Sequence, residues 1–446
     1  MNYQLRVTRL ADLPRLGWIA EIVPEQHVVH VRVGPCVESA EHFIVEGVWD
    51  GPFSAGRFDQ SAAFFGSGLR LDADALCIVP SRAPIDRVCY AYHRDRIVVA
   101  ERAPQLPAPP SYDDYRARLD AILQSLGDNW RDPGRRTAMD AYATVSSGYD
   151  GAAVAAMVRA AGVKTCFSAK RSNSIVPRWL DPDLADDDGT PVATALGMET
   201  LPLEPPSAKV ASDTELLFLA GNRANPELTF ASMAETIQRS GKTGVAFTGY
   251  FGDALWSRSA EPQYLDGRFT RSDSAGLGLC EARVFTGFIH VPLPMMFGHH
   301  IGAMIDISNR PEMQPWTLGT TSYDRPVPRR ILETAGVPRH LFGRKKKAVV
   351  KRYDFPYNRV LRRQFYRDLG VPVAYARTVW GINEVAYRCR RLWVYLRVLG
   401  DRQKALGVGR GDQRWIKTCD FRLRMYLMAS RILSERLSGV LAQEGR

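Results

Sequence analysis

A short apolar run, Ala141-Tyr142-Ala143-Thr144-Val145, passes through Ser146-Ser147-Gly148-Tyr149-Asp150 into the alanine-rich stretch Gly151-Ala152-Ala153-Val154-Ala155-Ala156-Met157-Val158-Arg159. The first run has strand character and the last has the composition of a helix. A strand that turns through small residues into a helix is the unit of an α/β fold with a parallel sheet. It also presents unpaired backbone N–H groups at the positive end of a helix, which suits an anion. Ser146 and Ser147 add hydroxyls, and Gly148 allows close approach of the backbone. Asp150 is the odd member, because a carboxylate beside a phosphate is repelled unless a metal lies between them. Mg²⁺ bridging phosphate oxygens and one or two carboxylates resolves that conflict. The alternative for this segment alone is an ordinary tight turn, with Asp150 serving the helix dipole.

A second segment of the same kind follows. Thr243-Gly244-Val245-Ala246-Phe247-Thr248 reads as a buried strand and runs into Gly249-Tyr250-Phe251-Gly252-Asp253-Ala254-Leu255-Trp256. Two strand ends, each delivering one Asp from a glycine-bearing turn, suit a magnesium pyrophosphate site held by Asp150 and Asp253.

A third region carries Ser322-Tyr323-Asp324-Arg325-Pro326-Val327-Pro328-Arg329-Arg330-Ile331-Leu332, then Ala335-Gly336-Val337-Pro338-Arg339, then Phe342-Gly343-Arg344-Lys345-Lys346-Lys347-Ala348. Taken in order, the three regions resemble the synthetase domain of the asparagine synthetases, among the N-type ATP pyrophosphatases. The first is similar to that superfamily's SGGxDS loop, the second to a GEGxDE segment, and the third to the late segment whose lysine faces the ATP phosphates and the acyl-adenylate. The resemblance covers about residues 110–350. It implies a parallel-sheet α/β fold of the HUP-like type, ATP and Mg²⁺ as ligands, and Lys346, with Lys347 as the fallback, as the catalytic lysine. It implies nucleotide contacts from Ser146, Ser147, Gly148, Asp150, Gly151, Gly249 and Gly252, and from Ser168 at the end of a second strand, Cys166-Phe167-Ser168. The pattern departs at Ser147, where the family has Gly, at Gly151, where it has Ser, and at Tyr250 and Ala254, where it has Glu.

Residues 1–103 read as a separate α+β domain, with strands at Val28-Val29-His30-Val31-Arg32-Val33, His42-Phe43-Ile44-Val45-Glu46-Gly47-Val48-Trp49, Ala75-Leu76-Cys77-Ile78-Val79 and Arg96-Ile97-Val98-Val99-Ala100. Asp50-Gly51-Pro52-Phe53 and Gly66-Ser67-Gly68 read as turns. Its position resembles that of the glutaminase domain, an N-terminal-nucleophile fold. Those glutaminases use a cysteine directly after the initiator methionine. That position is Asn2 here, so no glutamine hydrolysis is expected. Residues 104–110 form a proline-rich linker, and Ser111 caps a helix to about Gly127 with Tyr115, Leu119, Ile122 and Leu123 on one face.

Asp186-Asp187-Asp188-Gly189 reads as an acidic helix start rather than a metal site. His299 and His300 are adjacent and so do not face one metal together. The seven cysteines are scattered without a C-x-x-C, which argues against a disulfide framework. The opening residues lack an apolar leader, and the expected location is cytoplasmic.

The net charge of +11 is uneven. Residues 351–446 hold 21 Lys and Arg against 8 Asp and Glu, and the remaining residues hold 38 against 40. This basic segment reads as helices, with one stripe of Val385, Cys389, Leu392, Trp393, Leu396 and Leu399 and another of Phe421, Met425, Met428 and Ile432. A packed helical cap, an acidic carrier, an anionic membrane surface and RNA all remain open as its partner, as does a homo-oligomer.

The expected chemistry is adenylation of a substrate carboxylate with release of pyrophosphate, then acyl transfer to ammonia or an amine to form an amide. An RNA-modifying N-type pyrophosphatase and a non-catalytic nucleotide-binding scaffold are the alternatives.

Overall fold

The computed structural model describes residues 3–23, 27–72, 75–83, 85–86, 88, 106–172, 181–222, 228–259, 277–319, 323–344, 355–398 and 421–443. Seven strands come first: β1 (Gln4–Arg9), β2 (Trp18–Val23), β3 (Val28–Val33), β4 (Glu38–Ala40), β5 (Phe43–Val48), β6 (Phe65–Leu71) and β7 (Leu76–Val79). They form a three-stranded sheet in the order β1-β3-β2 and a four-stranded antiparallel sheet in the order β4-β5-β6-β7. Among the described residues before 106, no α-helix accompanies them, only two short 3-10 turns. The strand expected at residues 96–100 lies outside the described residues.

Gly66-Ser67-Gly68, expected as a turn, instead lies inside β6. The glycines are there for space. Gly66 has φ of +121°, and a Cβ on it would come within 1.9 Å of the Glu46 carbonyl oxygen, while one on Gly68 would meet the Phe58 ring at 2.9 Å.

The chain then runs α1 (Tyr112–Trp130), β8 (Met139–Val145), α2 (Asp150–Ala160), β9 (Thr165–Ser168), α3 (Pro182–Ala185), α4 (Thr190–Ala195), β10 (Glu199–Pro202), α5 (Ser212–Gly221), α6 (Ala231–Ser240), β11 (Thr243–Thr248), α7 (Gly252–Leu255), α8 (Cys280–Thr286), β12 (Phe288–Pro292), α9 (Ile301–Asn309), α10 (Pro326–Thr334), α11 (Arg359–Leu369), α12 (Val373–Val398) and α13 (Arg422–Gln443). Five strands make one all-parallel sheet in the order β10-β9-β8-β11-β12. Side chains alternate across it. Ala143, Val145, Val245, Phe247, Ile289 and Val291 enter the core that holds α1 and α2, while Tyr142, Phe167, Ala246 and Phe288 enter the core on the opposite face with α5 and α6. β11 and β12 are buried throughout, as strands covered on both faces must be.

Ser111 caps α1 as its sequence requires, its hydroxyl accepting the Asp114 N–H at 3.1 Å. Tyr115, Leu119, Ile122 and Leu123 are buried. The linker is pinned from residue 106 onward: the Leu106 carbonyl lies 2.6 Å from His300 Nε2, and Arg118 donates to the Pro107 carbonyl at 2.8 Å.

The N-terminal strands do not keep all of their core to themselves. Leu16, Val48, Phe65 and Ile85 join the cluster of α1 and α2. Arg283, on α8, reaches across to Glu46 with two hydrogen bonds, at 2.8 and 3.0 Å, and to Asp86 with a third. All three side chains are buried. Burial works against the Arg283 charge, but Asp86 and Glu46 outweigh it and its pKa moves up.

The stripe expected from Phe421 to Ile432 packs as foreseen, with Met425 and Met428 buried and Phe421 and Ile432 partly so. The other expected stripe does not. Val385, Cys389 and Trp393 are exposed on α12, and the side chains of Leu392, Leu396 and Leu399 lie outside the description. Among the described residues no disulfide is formed.

Candidate functional site

Strand order places the site. Leaving β8, the chain turns to β9 and β10 on one side, and β11 and β12 lie on the other. The crevice beyond the carboxyl ends of β8 and β11 is therefore the topological switch point, where open parallel sheets bind ligands. Both predicted turns sit there, one directly after Val145 and the other directly after Thr248.

The first turn runs from Ser146 through Tyr149, and Asp150 is the first residue of α2. Alanines and valines bury this helix against the sheet, so its N-terminus is held at the crevice. Ser146 Oγ accepts the Gly148 N–H at 3.2 Å, which closes the turn and leaves the hydroxyl proton for another acceptor. Gly151 lies in the first helical turn, where a Cβ would stand 3.1 Å from the Thr144 carbonyl oxygen.

The second turn abuts the first. A Cβ on Gly249 would fall 2.5 Å from the Asp150 carbonyl carbon, and one on Gly252 would fall 3.0 Å from the Asp150 carboxyl group. At Gly249 only glycine permits this approach, and at Gly252 a methyl group would crowd the Asp150 side chain. Phe251 between them has φ of +72°, a left-handed conformation that costs a non-glycine residue about 1 kcal/mol or more. Asp253 follows on α7. The structure thus brings Ser146, Ser147, Gly148, Asp150, Gly151, Gly249, Gly252 and Asp253 to one place.

Sequence reasoning missed two further members. Arg325 donates to Asp150 Oδ1 at 2.9 Å and to the Gly252 carbonyl at 3.1 Å, tying both turns together. Burial opposes its charge, but Asp150, Tyr323 and Asp253 and the bond to Asp150 outweigh that, and its pKa is raised. Its guanidinium also lies 5.3 Å from the centre of the Tyr323 ring. Arg325 stood within the quoted third region, but its partner is 175 residues away in sequence, and no periodicity links the two.

The second is Asp187. The acidic-start reading holds for Asp188, whose Oδ1 accepts the Thr190 N–H at 2.9 Å. It fails for Asp187, which is buried and accepts the Ser147 hydroxyl at 3.0 Å. The reason is Gly189: a Cβ there would lie 2.7 Å from the Ser146 nitrogen, so this segment packs on the turn itself. Ser168 serves the same contact. Its hydroxyl accepts the Gly189 N–H at 2.8 Å, and its carbonyl accepts from Leu203 at 2.8 Å. It stands behind the turn as a support.

The third region closes on the first turn from the other side. The Gly343 N–H donates to the Ser147 carbonyl at 2.9 Å. Gly343 has φ of +67°, and a Cβ on it would strike the Tyr149 ring at 2.3 Å. Tyr149 is buried, has its ring centre 5.0 Å from that of Tyr323 with the two planes tilted by 49°, and hydrogen-bonds to Arg329, itself paired with Asp324 at 3.3 Å. Burial raises the Tyr149 pKa, opposed by Arg329, so its hydroxyl stays protonated. Arg344 reaches Asp183 at 2.9 Å. Lys346 and Lys347 lie outside the described residues.

Asp150 and Asp253 are the residues that could hold a divalent cation shared with phosphate. Asp150 and Asp253 offer hard carboxylate oxygens from two touching turns, and the Asp150 side chain is 23% exposed, within reach of a ligand. A guanidinium already marks where positive charge is favoured. Among the described residues, no group of three or more His, Cys, Asp or Glu could hold a metal ion.

In the comparisons with known proteins, no family model matches the chain, and no curated protein matches it.

Proposed function

We propose that the chain is an ATP-dependent amide-forming ligase of asparagine-synthetase-like type, without glutaminase activity of its own. The observation that carries this reading is the contact of the two turns at the switch point of the parallel sheet, each supplying one aspartate. The order of the three regions supports it further. Phe251 is a further departure, standing where the GEGxDE pattern has its second glycine, but it keeps a left-handed backbone that glycine adopts freely.

In this reading the N-terminus of α2 and Ser146 receive the ATP phosphates. Asp150 and Asp253 would hold Mg²⁺, which when bound neutralises the phosphate oxygens. Arg325 fixes the spacing of the two turns and its charge offsets that of the acids. A substrate carboxylate oxygen attacks the α-phosphorus, the bond to the β-phosphate oxygen breaks, and pyrophosphate leaves. An amine then attacks the acyl carbon, loses a proton, and AMP leaves. Lys346 or Lys347 is assigned to neutralise charge on the departing pyrophosphate and the acyl centre.

A non-catalytic nucleotide-binding role is the second reading. It is favoured by the Arg325–Asp150 pair, which satisfies the acid without a metal. Isotope exchange between pyrophosphate and ATP, run across a panel of amino-acid, sugar-acid and acyl carboxylates, separates the two. Exchange with at least one carboxylate, lost in Lys346→Met/Lys347→Met, is expected of a ligase. Nucleotide binding with no exchange across the panel favours the scaffold.

A further inference from the structure

Nine of the twelve large apolar side chains that stand exposed among the described residues lie between Val360 and Leu427. The same part of the chain carries the whole excess of positive charge, since residues 351–446 hold 21 basic and 8 acidic side chains. Helix α12 concentrates both features. It is 26 residues long, about 39 Å at 1.5 Å per residue. Ala376 is the one buried side chain among those described on it, and Trp380 meets Phe355 edge-on at a centroid distance of 5.9 Å. Beyond that anchor the helix presents apolar groups outward. Tyr375 is 55% exposed, Ile382 60%, Val385 61% and Trp393 53%. At about 100° per residue these four fall within an arc of about 80°. Arg377, exposed, lies outside that arc on the flank. On α13, Leu423 and Leu427 are likewise exposed, beside the exposed Arg424.

We propose that this face adsorbs to an anionic lipid surface, with α12 lying in the plane of the interface. Aromatic and aliphatic groups on one side of a basic helix match the boundary between headgroups and acyl chains. The positive excess matches anionic headgroups. Nucleic acid explains the charge but gives no use to exposed Ile382, Val385, Leu423 and Leu427. A second copy would bring two surfaces of the same strong charge together. Among the described residues no helix is long and apolar enough to cross a membrane, so the mode is adsorption rather than insertion across it. The inference does not depend on the adenylation reading, since it rests on a different surface.

The test is flotation of the full-length protein with vesicles of phosphatidylcholine alone and with 30% phosphatidylserine, at low and high salt. Binding only to the anionic vesicles, weakened by salt, is expected. Ile382→Asp/Val385→Asp should weaken it about tenfold or more, and Arg377→Glu should weaken it less. Both substitutions are at exposed positions, so unchanged circular dichroism and an unchanged melting midpoint check that the fold persists. No flotation, equal flotation with neutral vesicles, or indifference to the Ile382/Val385 pair would overturn the proposal. So would a dimer in lipid-free solution that the same pair abolishes, or tRNA binding that outcompetes the vesicles.

Discussion

Asp150 has a positive partner in the protein itself, and that fixes what its removal does. Arg325 is 9% exposed and Asp150 is 23% exposed. Truncating the acid leaves a buried guanidinium without its salt-bridge partner. Asp150→Ala is therefore expected to cost about 2–3 kcal/mol, below the range for a wholly buried pair. Asp150→Asn keeps the acceptor oxygen and should cost about 1 kcal/mol. Urea unfolding of the two variants checks the order, and equal losses would show that the pair does little for stability. This part of the site was half legible in the sequence. The chemistry of a serine-rich turn with an acid announced Asp150, because the turn and the helix are adjacent in sequence. Arg325 and Asp187 reach the turn from distant segments, and one acid in a run of three looks like its neighbours until packing separates them.

At the scale of elements, the two turns and the third region interlock through glycines, and each interlock has a definite cost. Gly249→Ala and Gly343→Ala place a methyl group 2.5 Å from backbone and 2.3 Å from the Tyr149 ring, respectively. Each is expected to destabilise by about 2 kcal/mol or more, in the range of overpacked sites. Gly302→Ala, in α9 with nothing within 4 Å of the new methyl, is the control. It should stabilise by about 0.5–1 kcal/mol. Thermal melts that rank the three otherwise would contradict the described packing. Elements with a strong local pattern were readable: β8, β11, α1 and α2 appear within two residues of the expected bounds or extend them modestly. Strands β1, β2 and β4 carry no such pattern, and β6 was hidden because its glycines look like a turn. Periodicity on α12 was real but said nothing about which side faces the core.

On the scale of the whole molecule, the basic C-terminal helices pack on the sheet through Leu361, Phe365, Met425 and Met428, and one buried acid adds a polar tie. Glu215, on α5, accepts the backbone N–H groups of Tyr357 and Asn358, the latter at 2.6 Å, and Asn358 caps α11. Burial raises the Glu215 pKa from 4.5 to about 7, with the two backbone bonds opposing the rise. The folded state thus binds the proton more tightly than the unfolded chain. The stabilising contribution is complete below pH 4.5 and is lost as pH rises through 7. Measured against Glu215→Gln, which does not titrate, wild type should lose about 3 kcal/mol of relative stability between pH 4.5 and pH 8. A stability difference independent of pH would refute this linkage. Arg283 with Glu46 and Asp86 joins the N-terminal strands to the same body, which explains why a chain whose sequence reads as separate units shares one main core.

The claim on which the functional account turns is that the crevice between β8 and β11 binds a magnesium nucleotide. Its most direct test is calorimetric titration of the full-length protein with ATP, with and without Mg²⁺, beside Asp150→Asn and Asp253→Asn. Saturable binding that requires Mg²⁺ and is weakened at least tenfold by either substitution is expected. Binding that is indifferent to Mg²⁺ and to both aspartates, or no binding by the folded wild type, would contradict it.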